Sequence, residues 1–400
     1  MSEVSHTAAP LSVPQPYIQS PGAVSVCLSL VVMGVTAFTI GLFVDPQRAW
    51  ANYLLNYFFW LCLGLSGLFF TALQHITGAT WSVPVRRVAE SFSAFVPVAA
   101  LLFFVLLFGL TTLYPEWTNL QHVAADPLLS GKRCYLNVNF FAVRSLVFYA
   151  FVILVGSAMV RNSLKQDRTG DASLTLRNVR LSAPFLIIFS WLFTFMSFDL
   201  IMSLTPHWFS TIFGVYCWSG LFYSGLAMLM LWVMHLRARG NLDGFVTDEH
   251  LHGIGKFMFA FVVFWAYIAF SQYMLIWYAN LPEEIGYMIV RTQGPWAPIG
   301  QLLTMGKFAL PLFFLITQPA KRKPGFMKFT ALWMLGAQWV DLYWMIFPTF
   351  YKAPVFGWME VAMFAGFAGA FVWSVGRFLS RHPVVAYRDP FIAEGVGHHQ

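Results

Sequence analysis

Apolar stretches of about 20 residues recur along the chain and are separated by short runs of Gly, Pro and charged residues. A helix needs about 20 apolar residues to cross the hydrocarbon core of a bilayer. By that length the pattern predicts an all-α integral membrane protein with ten spanning helices. They cover residues 24–44, 54–75, 90–113, 139–160, 183–204, 209–235, 254–279, 297–317, 328–348 and 356–379.

Composition agrees with this pattern. The 400-residue chain is 58% hydrophobic and only 10% charged, whereas soluble domains carry about 25% charged residues. A surface so apolar could not stay in water, which again indicates a membrane protein surrounded by lipid. The four cysteines lie far apart and form no CxxC or CxxCH motif, so the chain encodes no iron–sulfur or c-type haem site.

Positive charges are distributed unevenly between the two ends of the predicted helices. Cytoplasmic loops carry an excess of Lys and Arg, so this asymmetry sets the orientation. Of the 24 Lys and Arg residues, 17 lie on the side of both termini, and we predict that this side is cytoplasmic in a bacterial inner membrane. The formal net charge of +7 follows from this membrane sidedness and does not indicate nucleic-acid binding. The other seven are Arg48, Lys132, Arg133, Arg144, Arg291, Lys307 and Lys352.

The predicted helices divide the chain into segments. Two four-helix bundles are expected, one over residues 54–204 (helices 2–5) and one over residues 209–348 (helices 6–9). Long outer loops are expected at 114–138 and around Pro282–Glu284. The flanking segments are a polar N-terminal tail without a signal-peptide basic region at 1–23, the first helix and its loop at 24–53, the tenth helix at 356–379 and a cytoplasmic tail at 380–400.

The two predicted bundles share a sequence pattern. Helices 5 and 9 both carry the pattern D-L-x5-P, at Asp199–Pro206 and at Asp341–Pro348. The helix before each of them carries a cation, Arg144 in helix 4 and Lys307 in helix 8, and the first helix of each set ends with a histidine. Parallel repeats in membrane proteins are related by an axis along the membrane normal. The pattern therefore predicts that helices 2–5 and 6–9 are two copies of one unit.

Four of the charged residues fall well inside predicted helices. A charge at a helix centre costs about 2.5–3.5 kcal/mol on insertion scales, so each needs a partner or a function. Arg144 and Asp199 lie at the same depth, about 8 Å below the outer helix ends, and the long lysine stem lets Lys307 reach Asp341. Each pair has two open interpretations: a structural ion pair that fixes helix register, or a proton-carrying or ligand-binding site.

Further polar residues extend from these pairs toward both membrane faces. A hydrogen-bonded chain to the outer face is predicted, although bundled helices also bury such residues as interhelical glue. Its members are Gln272, Tyr273, Gln301, Gln338 and Tyr343.

On the inner side, His75, Glu90 and His235 are candidates for admitting protons, because the pKa of histidine lies near neutrality. A solvated histidine near the interface is the plainer interpretation of both imidazoles. A third interpretation is a bis-histidine haem b site at His75 and His235, which no further motif supports.

At the outer interface, His207 and Trp208 directly follow Pro206. An imidazole can bond a quinone carbonyl and an indole can stack on the quinone ring, so the pair is a quinone-binding candidate. Tryptophan at a membrane interface also serves as an anchor, and both interpretations stay open.

Three long stretches carry a resemblance to a known family. They are Ser197–Tyr216, Phe259–Glu284 and Trp339–Pro348. They resemble the F subunits of bacterial alternative complex III, a quinol:electron-acceptor oxidoreductase, and those subunits are similar to the polysulfide reductase (NrfD-like) membrane subunits. The resemblance covers essentially all ten predicted helices and implies two four-helix bundles, at helices 2–5 and 6–9.

The resemblance also implies partners and a role. The partners would be a paralogous NrfD-like membrane subunit, an iron–sulfur subunit, and multihaem and monohaem cytochrome c subunits on the outer face. Haem c and iron–sulfur clusters would sit in those partners, and this subunit would bind no redox cofactor itself. Quinol or menaquinol would bind either here or in the paralogue. The implied role is proton translocation coupled to quinol oxidation.

Two alternatives remain open at the level of sequence. A stand-alone secondary transporter with repeated bundles would have discontinuous helices near the midplane, and Pro311 and the glycines of helix 10 hint at such breaks. A purely structural membrane anchor would use the buried charges only to set helix register.

Overall fold

The computed structural model describes residues 14–397, in which no β-strand occurs. Ten long helices, labelled α1 to α10 in chain order, match the ten predicted spans. The protein is therefore an all-α, multi-pass membrane protein, as the sequence predicted. The helices are α1 Pro21–Val44, α2 Pro46–Ile76, α3 Thr80–Leu107, α4 Val138–Thr169, α5 Ser173–Leu204, α6 Phe213–Ala238, α7 Asp248–Ala279, α8 Gly294–Ile316, α9 Pro324–Ile346 and α10 Trp358–Arg381.

Within residues 14–397, nine of these helices are both long and apolar enough to cross a membrane. The exception is α9, which has 23 residues and is long enough. It contains three tryptophans, a tyrosine, Gln338 and Asp341, and these side chains lower its hydropathy. Because α9 packs between α6 and α8, protein rather than lipid covers much of this polar surface.

The helices close into two rings of four. In the first ring α2 and α4 each pack against α3 and α5, and in the second α6 and α8 each pack against α7 and α9. The two rings meet where α2 contacts α6 and α9 and where α5 contacts α6. The apolar stretch of α2 is entirely buried inside the protein. These rings are the two four-helix bundles that the sequence predicted.

Outside the bundles, α1 and α10 pack against each other and against α2. Glycines allow this close approach, since a Cβ at Gly34 would lie 2.6 Å from the Cα of Gly366, and a Cβ at Gly369 would lie 2.6 Å from the carbonyl oxygen of Cys27. Small residues let membrane helices approach closely. The glycines of α10 thus serve packing, and α10 is one unbroken helix. The hint of a break in this helix was therefore wrong.

Two helices begin ten residues earlier than predicted: α5, at Ser173 rather than at residue 183, and α3. Helix α3 begins at Thr80 rather than at residue 90, so Arg86 and Arg87 lie inside it. Charged residues lowered the apolar signal of this stretch in the sequence. They are tolerated in the folded protein because Asp167 and Asp389, from distant parts of the chain, pair with them.

The two outer segments predicted as loops are partly helical. Proline starts three of their four helices, because its fixed φ suits the first helical turn. Residues 114–138 contain the short helices Pro115–Thr118, Leu120–Ala125 and Pro127–Lys132, and the second segment forms Pro282–Thr292.

The predicted tails fall partly outside the described residues, since 1–13 and 398–400 are not among them. From residue 14 onward the N-terminal tail lies on the inner end of α6, where the Tyr17 ring packs edge-on against those of Trp232 and His235. Residues after α10 fold back over the inner ends of α3 and α4, with Asp389 bonded to Arg86.

Candidate functional site

The second bundle holds a fully buried ion pair between α8 and α9. Lys307 Nζ donates a hydrogen bond to Asp341 Oδ2 at 2.5 Å, and the two side chains are 0% and 1% exposed. The hydroxyl of Tyr216, on α6, donates to the other carboxylate oxygen at 2.5 Å. Three helices thus converge on one carboxylate, and the pair that the sequence predicted at this depth is present.

Lys307 lies on an irregular part of α8. Residues Thr304–Ala309 form a π-helical turn, and such turns occur frequently at functional sites. The Tyr223 hydroxyl donates to the Lys307 carbonyl at 3.2 Å, and Trp333 Nε1 donates to the preceding carbonyl at 2.6 Å. Side chains of α6 and α9 therefore bond carbonyls of the irregular turn. The ammonium also lies 4.1 Å from the ring centroid of Trp265, a cation–π contact that favours the charged lysine.

A cavity of about 640 Å³ opens beside the pair, between α7 and α8. The two helices pack together mainly through the π-helical turn of α8 and the segment after it, so the space lies between their outer parts. Apolar and aromatic side chains form most of its wall. Gln272, Tyr273 and Gln301 line it together with Asp341, so three members of the predicted outer chain share one cavity with the buried carboxylate.

The first bundle holds the other predicted pair, between α4 and α5. Arg144 donates two hydrogen bonds to Asp199, from Nε at 2.8 Å and from Nη2 at 2.7 Å. Its remaining nitrogen donates to the Tyr135 carbonyl at 2.9 Å. The guanidinium carbon lies 3.8 Å from the ring centroid of Tyr135 and 4.3 Å from that of Phe140. This bidentate, stacked arrangement occupies both carboxylate oxygens and fixes the guanidinium.

Two members of the predicted outer chain lie away from the cavity. The Tyr343 hydroxyl donates to the Val355 carbonyl at 2.6 Å, in the segment that precedes α10. Gln338 packs against Gly220 of α6, where a Cβ on the glycine would lie 2.7 Å from the amide. The structure therefore joins only part of the predicted chain, and these two residues serve the packing of α9.

The inner-side candidates lie in different surroundings. Glu90 is completely buried between Arg86 and Arg87, at 4.0 and 3.2 Å from their guanidinium nitrogens. His75 is buried at the end of α2, close to Arg86. His235 is exposed and packs its ring against a tyrosine and a tryptophan. The two histidines thus have separate neighbours, and only Glu90 and His75 share a region.

His207 and Trp208 have separate protein partners. His207 contacts Asp126 through Nε2 at 2.6 Å and Glu116 through Nδ1 at 3.3 Å. This hydrogen bond from the imidazole lowers the pKa of Asp126 below its ordinary value. Trp208 is buried, and its ring stacks on that of Tyr287 with centroids 3.8 Å apart. A quinone site at this pair stays a prediction, and the geometry adds no support to it.

Two features of the site were not found from the sequence. Tyr216 carried no signal, because 18% of the residues are aromatic and one more tyrosine in a membrane helix does not stand out. Glu360, in the first turn of α10, accepts hydrogen bonds from Arg48 Nε at 2.8 Å and Nη2 at 2.6 Å, and from Asn52 at 2.8 Å. A charge at a predicted helix end is common, so this third pair was not singled out.

Neither the models of known protein families nor the curated proteins match this sequence. The fold identifies the chain as a multi-pass, all-α membrane protein. Within it, Lys307, Asp341 and Tyr216 beside the α7–α8 cavity form the candidate functional site.

Proposed function

We propose that the chain is a membrane subunit of a quinol:acceptor oxidoreductase of the alternative complex III type, and that it carries protons across the bacterial cytoplasmic membrane. The observation that carries the proton role is the buried Lys307–Asp341 pair beside a cavity. The sequence resemblance over three long stretches supports membership of the complex. In this proposal both termini lie in the cytoplasm, following the distribution of Lys and Arg.

The chemistry of the pair suits proton transfer. A buried lysine can lose its proton, whereas the guanidinium of arginine stays charged. The ammonium and carboxylate together are neutral, so an incoming proton gives the pair a net positive charge in a site of low dielectric. That state is costly, and the pair lowers its energy by passing a proton onward.

The groups around the pair determine where this proton can move next. Tyr216 holds the second oxygen of Asp341, so the carboxylate keeps its orientation when the lysine contact weakens. The cavity wall carries Asp341 together with Gln272 and Gln301, polar groups that would bond water in the space between α7 and α8. We infer that this cavity is the route from Asp341 toward the outer face.

Redox chemistry belongs to the partners in this proposal. A paralogous membrane subunit, an iron–sulfur subunit and multihaem and monohaem cytochromes c would carry electrons from quinol or menaquinol to the acceptor. This chain would contribute the proton path without a redox cofactor of its own.

A second candidate function is that of a stand-alone secondary transporter. The observation that favours it is the π-helical turn of α8, which places an irregular helix segment next to the buried pair and the cavity. Transporter sites lie at such irregular helices near the bilayer midplane.

Gentle extraction of the tagged chain from native membranes distinguishes the two candidates. The redox-complex proposal predicts that iron–sulfur and cytochrome c subunits co-purify in fixed proportion, with haem c bands in the optical spectrum. A colourless preparation of this chain alone, under conditions in which other respiratory complexes of the same membranes remain assembled, would contradict membership and favour the transporter.

A further inference from the structure

Five charged side chains are buried together at the inner end of the first bundle. Arg87 donates to Asp167 at 2.5 Å and lies 3.2 Å from Glu90, while Arg86 donates to Asp389. None of the five side chains is more than 4% exposed. They come from α3, α4 and the segment after α10, and we refer to them as the inner charge cluster.

The inner charge cluster contains two guanidiniums and three carboxyl groups. If all five were ionised, the cluster would carry one net negative charge, and an uncompensated buried charge is costly. A guanidinium keeps its proton at any physiological pH, so only the carboxyl groups can adjust. Binding one proton makes the cluster neutral.

Other ionisable groups face the cluster from its edge. His75 of α2 lies near Arg86, and His382 lies near Arg87. Burial and the positive charge of Arg87 lower the pKa of His382, so this histidine adds no positive charge at neutral pH. Arg168, Arg381 and Arg388 are exposed, and water and salt screen their charges. His75 is buried and its Nε2 has no hydrogen-bond partner among the described residues, which makes an imidazolium beside Arg86 costly. The net charge of the buried core is therefore set by its own five members.

Glu90 differs from the other two carboxyl groups in its hydrogen bonds. Asp167 and Asp389 each accept one from a guanidinium, whereas both oxygens of Glu90 are buried without a hydrogen-bond partner among the described residues. The same lack of a hydrogen-bond partner among the described residues holds for Nε and Nη1 of Arg87 and for the hydroxyl of Ser163. Buried polar atoms without protein partners usually bond internal water. Glu90 is thus held between two guanidiniums by charge rather than by hydrogen bonds, and three carboxyl groups share two cations.

The segment after α10 covers the cluster from the cytoplasmic side. Val384, Val385 and Ala386 are at most 2% exposed, and the Tyr387 hydroxyl donates to the Asp167 carbonyl at 3.1 Å. The same segment supplies Asp389. It therefore both seals the cluster from bulk water and contributes its third negative charge.

We propose that the inner charge cluster is a proton-binding site: Asp389 completes a set of three carboxyl groups around two arginines, and these carboxyl groups hold one proton among them at neutral pH. Its use as the entry station for translocated protons rests on the proposed function. The protonation itself does not depend on that function.

Infrared spectra of the purified full-length chain in lipid nanodiscs at neutral pH test this assignment. The expected result is a protonated-carboxyl band that disappears in Glu90→Gln and shifts when water is exchanged for D2O. Glu394→Gln is the matched control, because Glu394 is exposed and, among residues 14–397, accepts a side-chain hydrogen bond only from Thr80 at 3.1 Å. Its spectrum should keep the band. A band that survives in Glu90→Gln would overturn the assignment.

Asp389→Asn gives the sharper result and does not require Glu90→Gln to fold. It leaves two arginines and two carboxyl groups, which are neutral without an extra proton, so the band should disappear although Glu90 is still present. Asp199→Asn, in the outer pair of the same bundle, should leave the band unchanged. Persistence of the band in Asp389→Asn would contradict the charge count. The band found together with normal proton movement in Asp341→Asn would contradict the proposed function alone.

Discussion

The two bundles carry the same pair of charges at related places but bind the carboxylate in different ways. In the first bundle the guanidinium of Arg144 donates one hydrogen bond to each carboxylate oxygen of Asp199. In the second, the ammonium of Lys307 takes one oxygen of Asp341 and the hydroxyl of Tyr216 takes the other. A cavity of about 130 Å³ lies beside the first pair, whereas cavities of about 640 and 670 Å³ lie beside Asp341 and Lys307 of the second pair.

Under the proposed function, this difference gives the two pairs different roles. In the Arg144–Asp199 pair both carboxylate oxygens accept hydrogen bonds and the guanidinium keeps its proton. This pair, called the clamp below, therefore serves to hold α4 against α5. In the Lys307–Asp341 pair the cation is a lysine, which can lose its proton. Lys307 lies on the π-helical turn of α8 and Asp341 lines the α7–α8 cavity, so the charge of this pair can change. In the proposed function, the identity of the cation, rather than the position in the repeat, decides which pair carries protons.

The largest expected effect comes from removing the acid of the clamp. Asp199→Ala leaves Arg144 in the membrane without its counter-charge, and breaking a buried pair in this way costs about 3–5 kcal/mol. Thermal unfolding of the purified variant in detergent should show this loss. The double variant Arg144→Met with Asp199→Leu should recover most of it, because no charge then remains unpaired. Equal instability of the double variant would contradict a clamp role.

Exchanging the cations between the pairs tests the comparison directly. Lys307→Arg keeps the positive charge, but a guanidinium does not release its proton. Proton movement should therefore fall at least about tenfold, equivalent to about 1.4 kcal/mol, while the fold persists. Arg144→Lys should instead lower stability by about 1–2 kcal/mol, through loss of one charge-assisted hydrogen bond, and leave proton movement nearly unchanged. Proton release by the reconstituted complex and thermal unfolding measure the two effects. Loss of proton movement in Arg144→Lys, together with loss of stability alone in Lys307→Arg, would contradict the roles given to the two pairs.

Tyr216→Phe should change the pH dependence of proton movement rather than abolish it. The variant removes a hydrogen bond to a carboxylate, worth about 1.5–3 kcal/mol, so the pH profile of proton movement should shift while translocation persists. Tyr223→Phe is a matched control, because Tyr223 lies on the same helix as Tyr216, and its hydroxyl bonds the backbone carbonyl of Lys307 in α8 rather than the carboxylate. A shift of the same size in both variants would show that Tyr216 acts only through packing.

The smallest effect is expected at the outer surface, where Asp126 contacts His207. The pKa of Asp126 is lowered from its ordinary value of 3.8, so this contact stabilises the fold above that pH and is lost as the pH falls through the lower folded value. Hydrogen exchange of residues 119–132 should accelerate in this acid range in the wild type. In Asp126→Asn it should already be faster at neutral pH, with a weaker acid step. An unaltered profile in the variant would show that this contact does not hold the segment.

Much of the fold could be predicted from the sequence because nine of the ten described helices have a strong apolar signal, and because an acid and a cation recur at matching positions in the two bundles. Depth along the helices was enough to pair Arg144 with Asp199 and Lys307 with Asp341. The start of α3 was missed because Arg86 and Arg87 are neutralised by Asp167 and Asp389, which only the folded chain brings near. Tyr216 was missed for the same reason, since its contact with Asp341 joins residues 125 positions apart.

Proton movement by Asp341→Asn tests the central claim most directly. The complex would be purified with the variant subunit, reconstituted in vesicles and supplied with quinol and acceptor, with Asp199→Asn prepared in parallel. We expect the Asp341→Asn complex to assemble and oxidise quinol while its proton translocation is lost, and the Asp199→Asn complex to translocate protons if it assembles. Undiminished proton translocation by an assembled Asp341→Asn complex would contradict the role proposed for the Lys307–Asp341 pair.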